Sequence, residues 1–198
     1  MIAILDYGAG NLRSVENTLA EIGAAYTLVR DASGLRDAEK IILPGVGHFG
    51  QMMRALDEMQ VREALIDRIR GGVPFLGICL GLQALFERSE EAPEARGLGL
   101  YEGTVQRFPA DARVPHMGWN QLAACGDSRL LAGLDPSAFF YFAHSYYAPL
   151  ARQSAATCTY WLTYTAVLES GNTFAVQFHP EKSGPSGLRV VRNFVELQ

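Results

Sequence analysis

The first half of the chain alternates short apolar runs with segments of helical periodicity, and this alternation restricts the possible folds more than any other feature. Strand-like runs occupy residues 2–5, 25–29, 40–44 and 73–78. The intervening segment 11–23 carries apolar residues three or four positions apart, which is the spacing of a helix with one buried face. Repeated strand–helix–strand units require crossover connections, so we expect a parallel sheet covered by helices on both faces.

Further helices are predicted at residues 49–59, 61–70 and 82–88, and a last one at 187–197. The second half of the sequence, before this last helix, has a different pattern. From about residue 97 to 178, the apolar runs are short and strand-like, which favours an antiparallel or mixed extension of the sheet. The sequence contains no internal repeat, low-complexity tract or linker. The prediction is a single three-layer α/β domain, residues 1–198, with a mostly parallel central sheet and a β-rich second half.

Composition excludes several classes of protein. Hydrophobic residues make up 48% of the 198 residues and charged residues 19%, which is enough apolar material for a core and argues against disorder. The formal net charge of −4 gives no electrostatic reason to expect nucleic acid or an anionic membrane as a partner. The N-terminal sequence MIAILDYGAG does not resemble a signal peptide, and no apolar run is long enough to span a membrane.

Cysteine and histidine usage bears on the compartment and on metal binding. The three cysteines are odd in number and lack CxxC spacing, which disfavours a disulfide framework or a zinc site. A reducing, cytoplasmic compartment is therefore expected. No pair of the four histidines has HxH or HxxxH spacing, so we predict no metal and no cofactor.

Polar or glycine-rich segments follow four of the strand-like runs. They are DYGAGN (6–11), PGVGHFG (44–50), CLGLQ (79–83) and HPEKSG (179–184). Ligands of open parallel sheets bind beyond the carboxyl ends of the strands. Most of these segments are therefore expected to gather at one edge of the sheet.

Cys79 lies in the sequence GICLG, between a strand-like and a helix-like segment. Glycines two residues away on each side match the nucleophile-elbow pattern, with cysteine in place of serine. Glycines allow the close backbone approach of such a turn, and the helix N-terminus favours a thiolate. The backbone N–H of Leu80 is then placed to stabilise an oxyanion. A buried structural cysteine is the alternative for Cys79 and the favoured interpretation of Cys125 and Cys158.

His179 is the most suggestive partner for a cysteine nucleophile. It ends an apolar run in QFHPEKSG, and Glu181 lies two residues later, on the same face of an extended backbone. A carboxylate in this position can fix the imidazole tautomer and stabilise its charged form. A surface His-Pro-Glu turn is the alternative. His48, His116 and His144 rank lower as bases, because each lies in an aromatic or loop-like context that suits a packing histidine.

The PGVG segment (44–47) offers a second oxyanion donor. Its glycines allow the backbone to approach a ligand, so the amide of Val46 is a candidate, although an ordinary tight turn fits the pattern equally well. Gly45 and Gly47 also permit more than one arrangement of this backbone. If a docked partner sets that arrangement, the lone chain should be a poor catalyst.

Three of these segments, PGVGHFG, GICLGLQ and QFHPEKSG, resemble the triad-type (class I) glutamine amidotransferases in content and in order. The segments DYGAGNLRSV, VPHMGWN, YFAHSYY and EKSGPSGLRVVRNF are similar to one branch of that family, the glutaminase subunits of imidazole glycerol phosphate synthase. The likeness extends over residues 2–195. It implies a flavodoxin-like sheet and hydrolysis of glutamine to glutamate and ammonia without a cofactor.

The resemblance implies a role for each matching residue. Cys79 would attack the glutamine carboxamide and form a thioester, His179 would transfer the proton, and Glu181 would orient His179. The amides of Leu80 and Val46 would stabilise the oxyanion. The positions that match substrate contacts of the family are Gly47, Gln83, Glu91, Ser145 and Tyr146.

The resemblance also implies a partner. Ammonia would pass to a separate (β/α)8 cyclase subunit, and the heterodimer would make imidazole glycerol phosphate and the aminoimidazole carboxamide ribotide in histidine biosynthesis. The positions that match partner-facing residues are Asn11, Pro115, Met117, Trp119 and Lys182. Tryptophan is enriched at interface hot spots, although burial of Trp119 under the sheet edge is an alternative.

Three other interpretations fit parts of the sequence. A glutaminase serving the anthranilate or carbamoyl phosphate enzymes is disfavoured by DYGAGNLRSV and HMGWN. A cysteine hydrolase or chaperone-like protein of related fold would not normally carry a C-terminal HPE. A degenerate, non-catalytic amidotransferase is disfavoured by the presence of Cys79, His179 and Glu181.

Overall fold

The computed structural model describes residues 1–197. The strands are β1 (Ile2–Leu5), β2 (Tyr26–Val29), β3 (Lys40–Gly45), β4 (Phe75–Cys79), β5 (Phe86–Ser89), β6 (Tyr101–Arg107), β7 (His116–Gln121), β8 (Ala123–Ala124), β9 (Phe139–His144), β10 (Tyr146–Tyr147), β11 (Ser154–Tyr160), β12 (Leu162–Ser170) and β13 (Thr173–Val176). The helices are α1 (Leu12–Ile22), α2 (Ala32–Arg36), α3 (Phe49–Glu58), α4 (Arg62–Arg70), α5 (Leu80–Gln83) and α6 (Gly184–Glu196), and a 3-10 helix covers Pro180–Lys182.

The central sheet has eight strands in the order β2-β1-β3-β4-β13-β12-β11-β8. The neighbours from β2 to β13 pair in parallel. Strands β12, β11 and β8 extend the sheet in antiparallel fashion. Two smaller sheets, β10-β6-β5 and β7-β9, are built from the second half of the chain. The predicted α/β fold, with its mostly parallel central sheet and β-rich second half, is confirmed.

Helices cover both faces of the central sheet. On one face, Phe49 of α3 and Leu65 of α4 belong to a buried cluster with the strands. On the other face, Leu19 of α1 and Phe194 of α6 belong to a second cluster. Each fully buried side chain of this kind contributes about 1.5–3 kcal/mol through removal of apolar surface from water. Among residues 1–197, no helix is both long and apolar enough to cross a membrane.

The helix predicted at residues 82–88 is wrong. Helix α5 ends at Gln83, and Phe86–Ser89 forms strand β5, which pairs in parallel with β6. Leu82, Leu85 and Phe86 are all fully buried. A segment buried from several sides has no polar face, so apolar periodicity cannot separate a strand from a helix there. The short helix α2 was not predicted.

The carboxyl ends of the parallel strands meet at one edge, as predicted. Strand β1 leads into Tyr7, β3 into Val46, β4 ends at Cys79, and β13 leads into Gln177 and then His179. Two side-chain contacts cross between these ends: Tyr7 with Val46, and Gln177 with Cys79. Segments far apart in sequence are thereby brought around one site.

Candidate active site

Cys79 occupies a strained turn between β4 and α5. Its φ of 53° and ψ of −104° lie in a region that residues with side chains rarely adopt. The flanking glycines make this turn possible: a Cβ on Gly77 would lie 2.6 Å from the Gly81 carbonyl oxygen, and one on Gly81 would overlap the carbonyl oxygen of Leu43. The predicted elbow is therefore present, and Leu80 begins the helix immediately after the cysteine.

His179 and Glu181 form a buried pair beyond the end of β13. His179 Nδ1 lies 2.9 Å from Glu181 Oε1, and their side chains are only 4% and 2% exposed. Asn11 donates its side-chain amide to the same carboxylate oxygen at 3.2 Å. Burial alone would lower the pKa of His179, but its hydrogen bonds and charge interactions with Cys79 and Glu181 outweigh this effect and raise that pKa to about 10. Its contacts with Cys79 and Glu181 therefore favour the protonated form of the imidazole.

A cavity of about 220 Å³ opens beside Cys79. The predicted site residues that line it are Val46, Gly47, Cys79, Leu80, Gln83, Glu91, Pro115, Met117, Ser145, Tyr146 and His179. Glu181, Asn11, Trp119 and Lys182 are not part of the lining. The cavity thus brings together the predicted nucleophile, its histidine and all of the predicted substrate contacts.

Two of the cavity side chains are also bound to the protein backbone. Glu91 accepts a hydrogen bond at 2.7 Å from the amide of Phe49, at the start of α3. Gln83 donates at 2.9 Å to the carbonyl oxygen of Tyr146. Acidic groups are favoured at helix N-termini, and both contacts restrict the side-chain rotamer. The backbone therefore holds the polar side chains of Glu91 and Gln83 in defined orientations at the cavity.

The Val46 amide has a partner that was not predicted. Its N–H donates to the Tyr7 hydroxyl at an N···O distance of 3.2 Å, and the hydroxyl also lies 3.3 Å from the Val46 carbonyl oxygen. Burial raises the pKa of Tyr7 above its usual value, so the hydroxyl keeps its proton. The Tyr7 hydroxyl therefore occupies the N–H group that was predicted as the second oxyanion donor.

Comparison with known proteins places the chain in a family. The family described as "Glutamine amidotransferase class-I" matches residues 3–197. The chain belongs to the class I glutamine amidotransferases. A relative from Methanothermobacter thermautotrophicus, "Imidazole glycerol phosphate synthase subunit HisH", is 51% identical over 198 residues, covering 100% of this chain and 98% of the relative. The protein of that name from Deinococcus radiodurans is 46% identical over 197 residues, covering 98% and 92%.

Solved structures agree with this amidotransferase fold. A structure titled "Crystal structure of glutamine amidotransferase" superposes with a TM-score of 0.78 at 22% identity, covering 98% of this chain and 97% of that one. The structure of PurLQS from Thermotoga maritima gives a TM-score of 0.74 at 19% identity, covering 98% and 96%. The predicted resemblance to triad-type glutamine amidotransferases is confirmed, and the alternative of a cysteine hydrolase outside this family is wrong.

The predicted partner-facing residues of the amidotransferase are mostly exposed. Met117 and Trp119 lie two residues apart on the same face of β7, and their exposed fractions are 65% and 56%. The alternative in which Trp119 is buried is therefore wrong. Trp119 lies opposite Tyr141 of β9, and Lys182 Nζ lies 6.0 Å from the centre of the Tyr141 ring. Lys182 and Trp119 therefore flank one aromatic ring. Pro115 is exposed at the cavity.

Of the other histidines, His116 and His144 pack among aromatic side chains, as predicted, whereas His48 caps a helix, which was not predicted. His48 Nδ1 accepts a hydrogen bond at 3.1 Å from the amide of Gly50 and caps α3. Burial lowers the pKa of His116 to about 4 and that of His144 to about 3. His116 Nδ1 and His144 Nε2 lie 3.1 Å and 3.2 Å from the hydroxyl of Tyr164. Both imidazoles are neutral at pH 7 and pack among aromatic side chains, and His144 also lines the cavity.

The remaining cysteines of the amidotransferase lie outside the cavity. Cys158 is buried in the core cluster, and burial raises its pKa to about 11. Cys125 is exposed after β8. Neither combines a strained turn, a helix N-terminus and a neighbouring histidine, which are the features that activate a thiol.

Two residues at the site, Tyr7 and Gln177, were not predicted. Gln177 is fully buried and its side-chain nitrogen lies 3.5 Å from Cys79 Sγ. Its position two residues before His179 was an available signal, because such residues share one face of an extended backbone. The Tyr7 contact had no local signal, since it depends on the adjacency of β1 and β3.

Proposed function

We propose that this chain is the glutaminase subunit of an imidazole glycerol phosphate synthase and acts as one amidotransferase domain over residues 1–198. It hydrolyses glutamine to glutamate and ammonia. The observation that carries this proposal is that Cys79 and His179 line one cavity while Glu181 lies behind the histidine, with His179 Nδ1 2.9 Å from Glu181 Oε1. Full-length relatives at 51% and 46% identity that carry the synthase subunit name support the choice of synthase.

The chemistry follows from the positions of the three residues. His179 holds the proton released by the Cys79 thiol, and the sulfur attacks the carboxamide carbon of glutamine. The tetrahedral intermediate collapses when the carbon–nitrogen bond breaks, and the departing nitrogen takes the proton from His179 as ammonia. Water then attacks the thioester carbon and gives its proton to His179, and glutamate leaves as the thiol is restored. Glu181 orients the imidazole and stabilises its charged form throughout.

Two backbone amides stabilise the oxygen that becomes negative. The Leu80 amide lies at the start of α5, where N–H groups lack intrahelical partners. The Val46 amide is the second donor once it has left the Tyr7 hydroxyl. We assign glutamine binding to five residues that line the cavity: Gly47, Gln83, Glu91, Ser145 and Tyr146. Loss of one such oxyanion donor typically costs 10²–10³ in kcat.

Ammonia passes to a separate cyclase subunit. The partner surface consists of Asn11, Pro115, Met117, Trp119 and Lys182. Its exposed tryptophan and methionine suit an interface anchor, and Asn11 joins this surface to Glu181 through one hydrogen bond. The heterodimer makes imidazole glycerol phosphate and the aminoimidazole carboxamide ribotide in histidine biosynthesis. We place it in the cytoplasm, on the basis of the cysteine usage and this biosynthetic role.

The test mixes the chain with a cyclase subunit of an imidazole glycerol phosphate synthase and measures glutamate release and glutamine-dependent turnover. Glutamate release that rises on addition of the cyclase, together with imidazole glycerol phosphate formation, supports the proposal. The anthranilate and carbamoyl phosphate synthase subunits are the matched comparison. Stimulation by one of these, with none by the cyclase, assigns the chain to another synthase. Absence of glutamate release with every partner favours a degenerate amidotransferase.

A further inference from the structure

Gln177 is a buried polar residue that the Cys–His–Glu mechanism does not use. It follows β13 directly, its side chain is fully buried, and its Nε2 atom lies 3.5 Å from Cys79 Sγ. Burial of an amide is costly unless its groups are hydrogen-bonded. The cavity side chain Gln83 supplies one partner, because its Nε2 lies 3.0 Å from Gln177 Oε1. The other end of the Gln177 amide faces the nucleophile.

The Tyr146 carbonyl oxygen determines how the side-chain amides of Gln83 and Gln177 are oriented. The Tyr146 carbonyl oxygen can only accept, so the Gln83 atom that lies 2.9 Å from it is the nitrogen. The same nitrogen lies 3.0 Å from Gln177, so the Gln177 atom there is the oxygen. Gln177 therefore presents its N–H group to the sulfur. His144 Nδ1, 2.8 Å from the Tyr146 carbonyl oxygen, holds the same carbonyl in place.

We propose that Gln177 is a hydrogen-bond donor to Cys79 Sγ that stabilises the thiolate and fixes the direction of attack, and that Gln83 positions Gln177 as well as lining the cavity. No proton is transferred in this contact; the N–H bond stays intact while the sulfur is charged and while it is bound to the glutamyl carbon. Hydrogen bonds to charged groups are stronger than those between neutral groups. Because Cys79 is largely buried, a donor held against its sulfur favours the charged form of that sulfur.

Other titratable groups also face this sulfur, and each of them is unchanged when the Gln177 variants are compared with the parent protein. His179 approaches from the segment after β13, Tyr7 from the segment after β1, and Tyr164 from β12. Glu91 and His144 line the same cavity. Replacement of Gln177 leaves all of these groups in place, so a change in thiolate formation reports the missing donor.

The experiment measures the rate of Cys79 alkylation by iodoacetamide against pH, with the modified peptide identified by mass spectrometry, in a Cys125→Ser background. Gln177→Met keeps the length of the side chain and removes the donor. Its alkylation midpoint should move to higher pH by roughly one unit, a tenfold change in thiolate formation. Gln83→Met should shift the midpoint in the same direction by a smaller amount. Gln51→Met, at an exposed position on α3, is the matched control and should leave it unchanged.

An unchanged midpoint in folded Gln177→Met protein would overturn the inference, because a residue with only a packing role affects stability and not thiolate formation. Folding is checked by circular dichroism. If the methionine variant does not fold, Gln177→Asn, which withdraws the amide by one methylene group, gives the same readout. The inference rests on the proposed role of Cys79, but alkylation needs no glutamine. If the midpoint does not shift but the parent protein still hydrolyses glutamine, the inference about Gln177 is wrong and the proposed function is unaffected.

Discussion

The Tyr7 hydroxyl holds the amide of Val46, with 3.2 Å between the oxygen and the nitrogen. Tyr7 follows β1 and Val46 follows β3, so the contact joins two neighbouring strand ends across the site. It occupies the N–H group that we assign as the second oxyanion donor. Because Gly45 and Gly47 flank Val46, this backbone can adopt more than one arrangement, and we propose that one of them turns the Val46 N–H toward the cavity. We propose this contact as the structural basis of the low activity that is predicted for the chain without its partner.

Replacement of Tyr7 by phenylalanine should raise glutamate release by the isolated chain. The substitution removes a hydrogen bond worth about 1 kcal/mol, which corresponds to about a fivefold increase in the population with a free Val46 amide. The measurement is the rate of glutamate formation without partner. Tyr26→Phe, at a partly exposed position on β2, is the control. An unchanged or lower rate for Tyr7→Phe would show that this hydrogen bond does not limit basal activity.

Trp119→Ala should weaken binding of the cyclase subunit by about 30-fold, the effect of losing a hot spot worth about 2 kcal/mol. Trp161 is the matched control, because its side chain is 61% exposed compared with 56% for Trp119 but lies in the turn between β11 and β12. The dissociation constants of both variants can be measured by calorimetry. Equal losses, or a greater loss for Trp161→Ala, would contradict the assigned partner surface.

Gly81→Ala should destabilise the fold by about 3 kcal/mol or more, because the added methyl group overlaps the Leu43 carbonyl oxygen and backbone cannot move aside cheaply. The free energy of unfolding is measured in urea. Gly126→Ala serves as the control, since a Cβ there has no neighbour within 4 Å, and its effect should stay within about 0.5 kcal/mol. Similar stabilities for the two variants would show that the elbow is not close-packed.

The buried histidines should make the fold sensitive to mild acid. Burial lowers the pKa of His116 to about 4 and that of His144 to about 3, whereas both bind protons below about 6.5 in the unfolded chain. The unfolded state thus binds more protons as the pH falls from 6.5 toward 4. The free energy of unfolding then decreases by up to about 1.4 kcal/mol per pH unit for each histidine. Above pH 6.5 this contribution is complete and constant.

The variant that tests this pH dependence is His116→Phe. The His116 ring stacks against Tyr160 at a centroid distance of 4.0 Å, and phenylalanine can keep that packing. Urea unfolding of the variant between pH 4 and 6.5 should show roughly half the slope of the parent. An identical slope in the variant and the parent would mean that His116 is not the group that takes up the proton.

The sequence predicted those parts of the site that depend on local pattern. Gly77 and Gly81 around Cys79 specify a turn by themselves, and His179 with Glu181 share a face two residues apart. The wrong helix at 82–88 arose because Phe86 is buried, and a fully buried segment shows no polar face to set its period.

Local pattern could not identify which residues contact each other across distant strand ends. Tyr7 and Val46 are 39 positions apart, and Cys79 and Gln177 are 98 positions apart. Each contact depends on the strand order, which places β1 beside β3 and β4 beside β13. Neither a tyrosine in a glycine-rich turn nor a glutamine before a histidine specifies such a partner by itself. The hydrogen bonds of the Val46 amide and of the Cys79 sulfur can therefore be recognised only in the folded chain.

The most direct test of the central claim is to trap the thioester at Cys79. The chain is mixed with glutamine in the presence of the cyclase subunit, quenched in acid within a turnover, and digested for mass spectrometry. A γ-glutamyl adduct on the peptide that contains Cys79, absent from Cys79→Ser, is the predicted result. Glutamate formation at the normal rate by Cys79→Ser, or an adduct on Cys125 or Cys158 instead, would contradict the account.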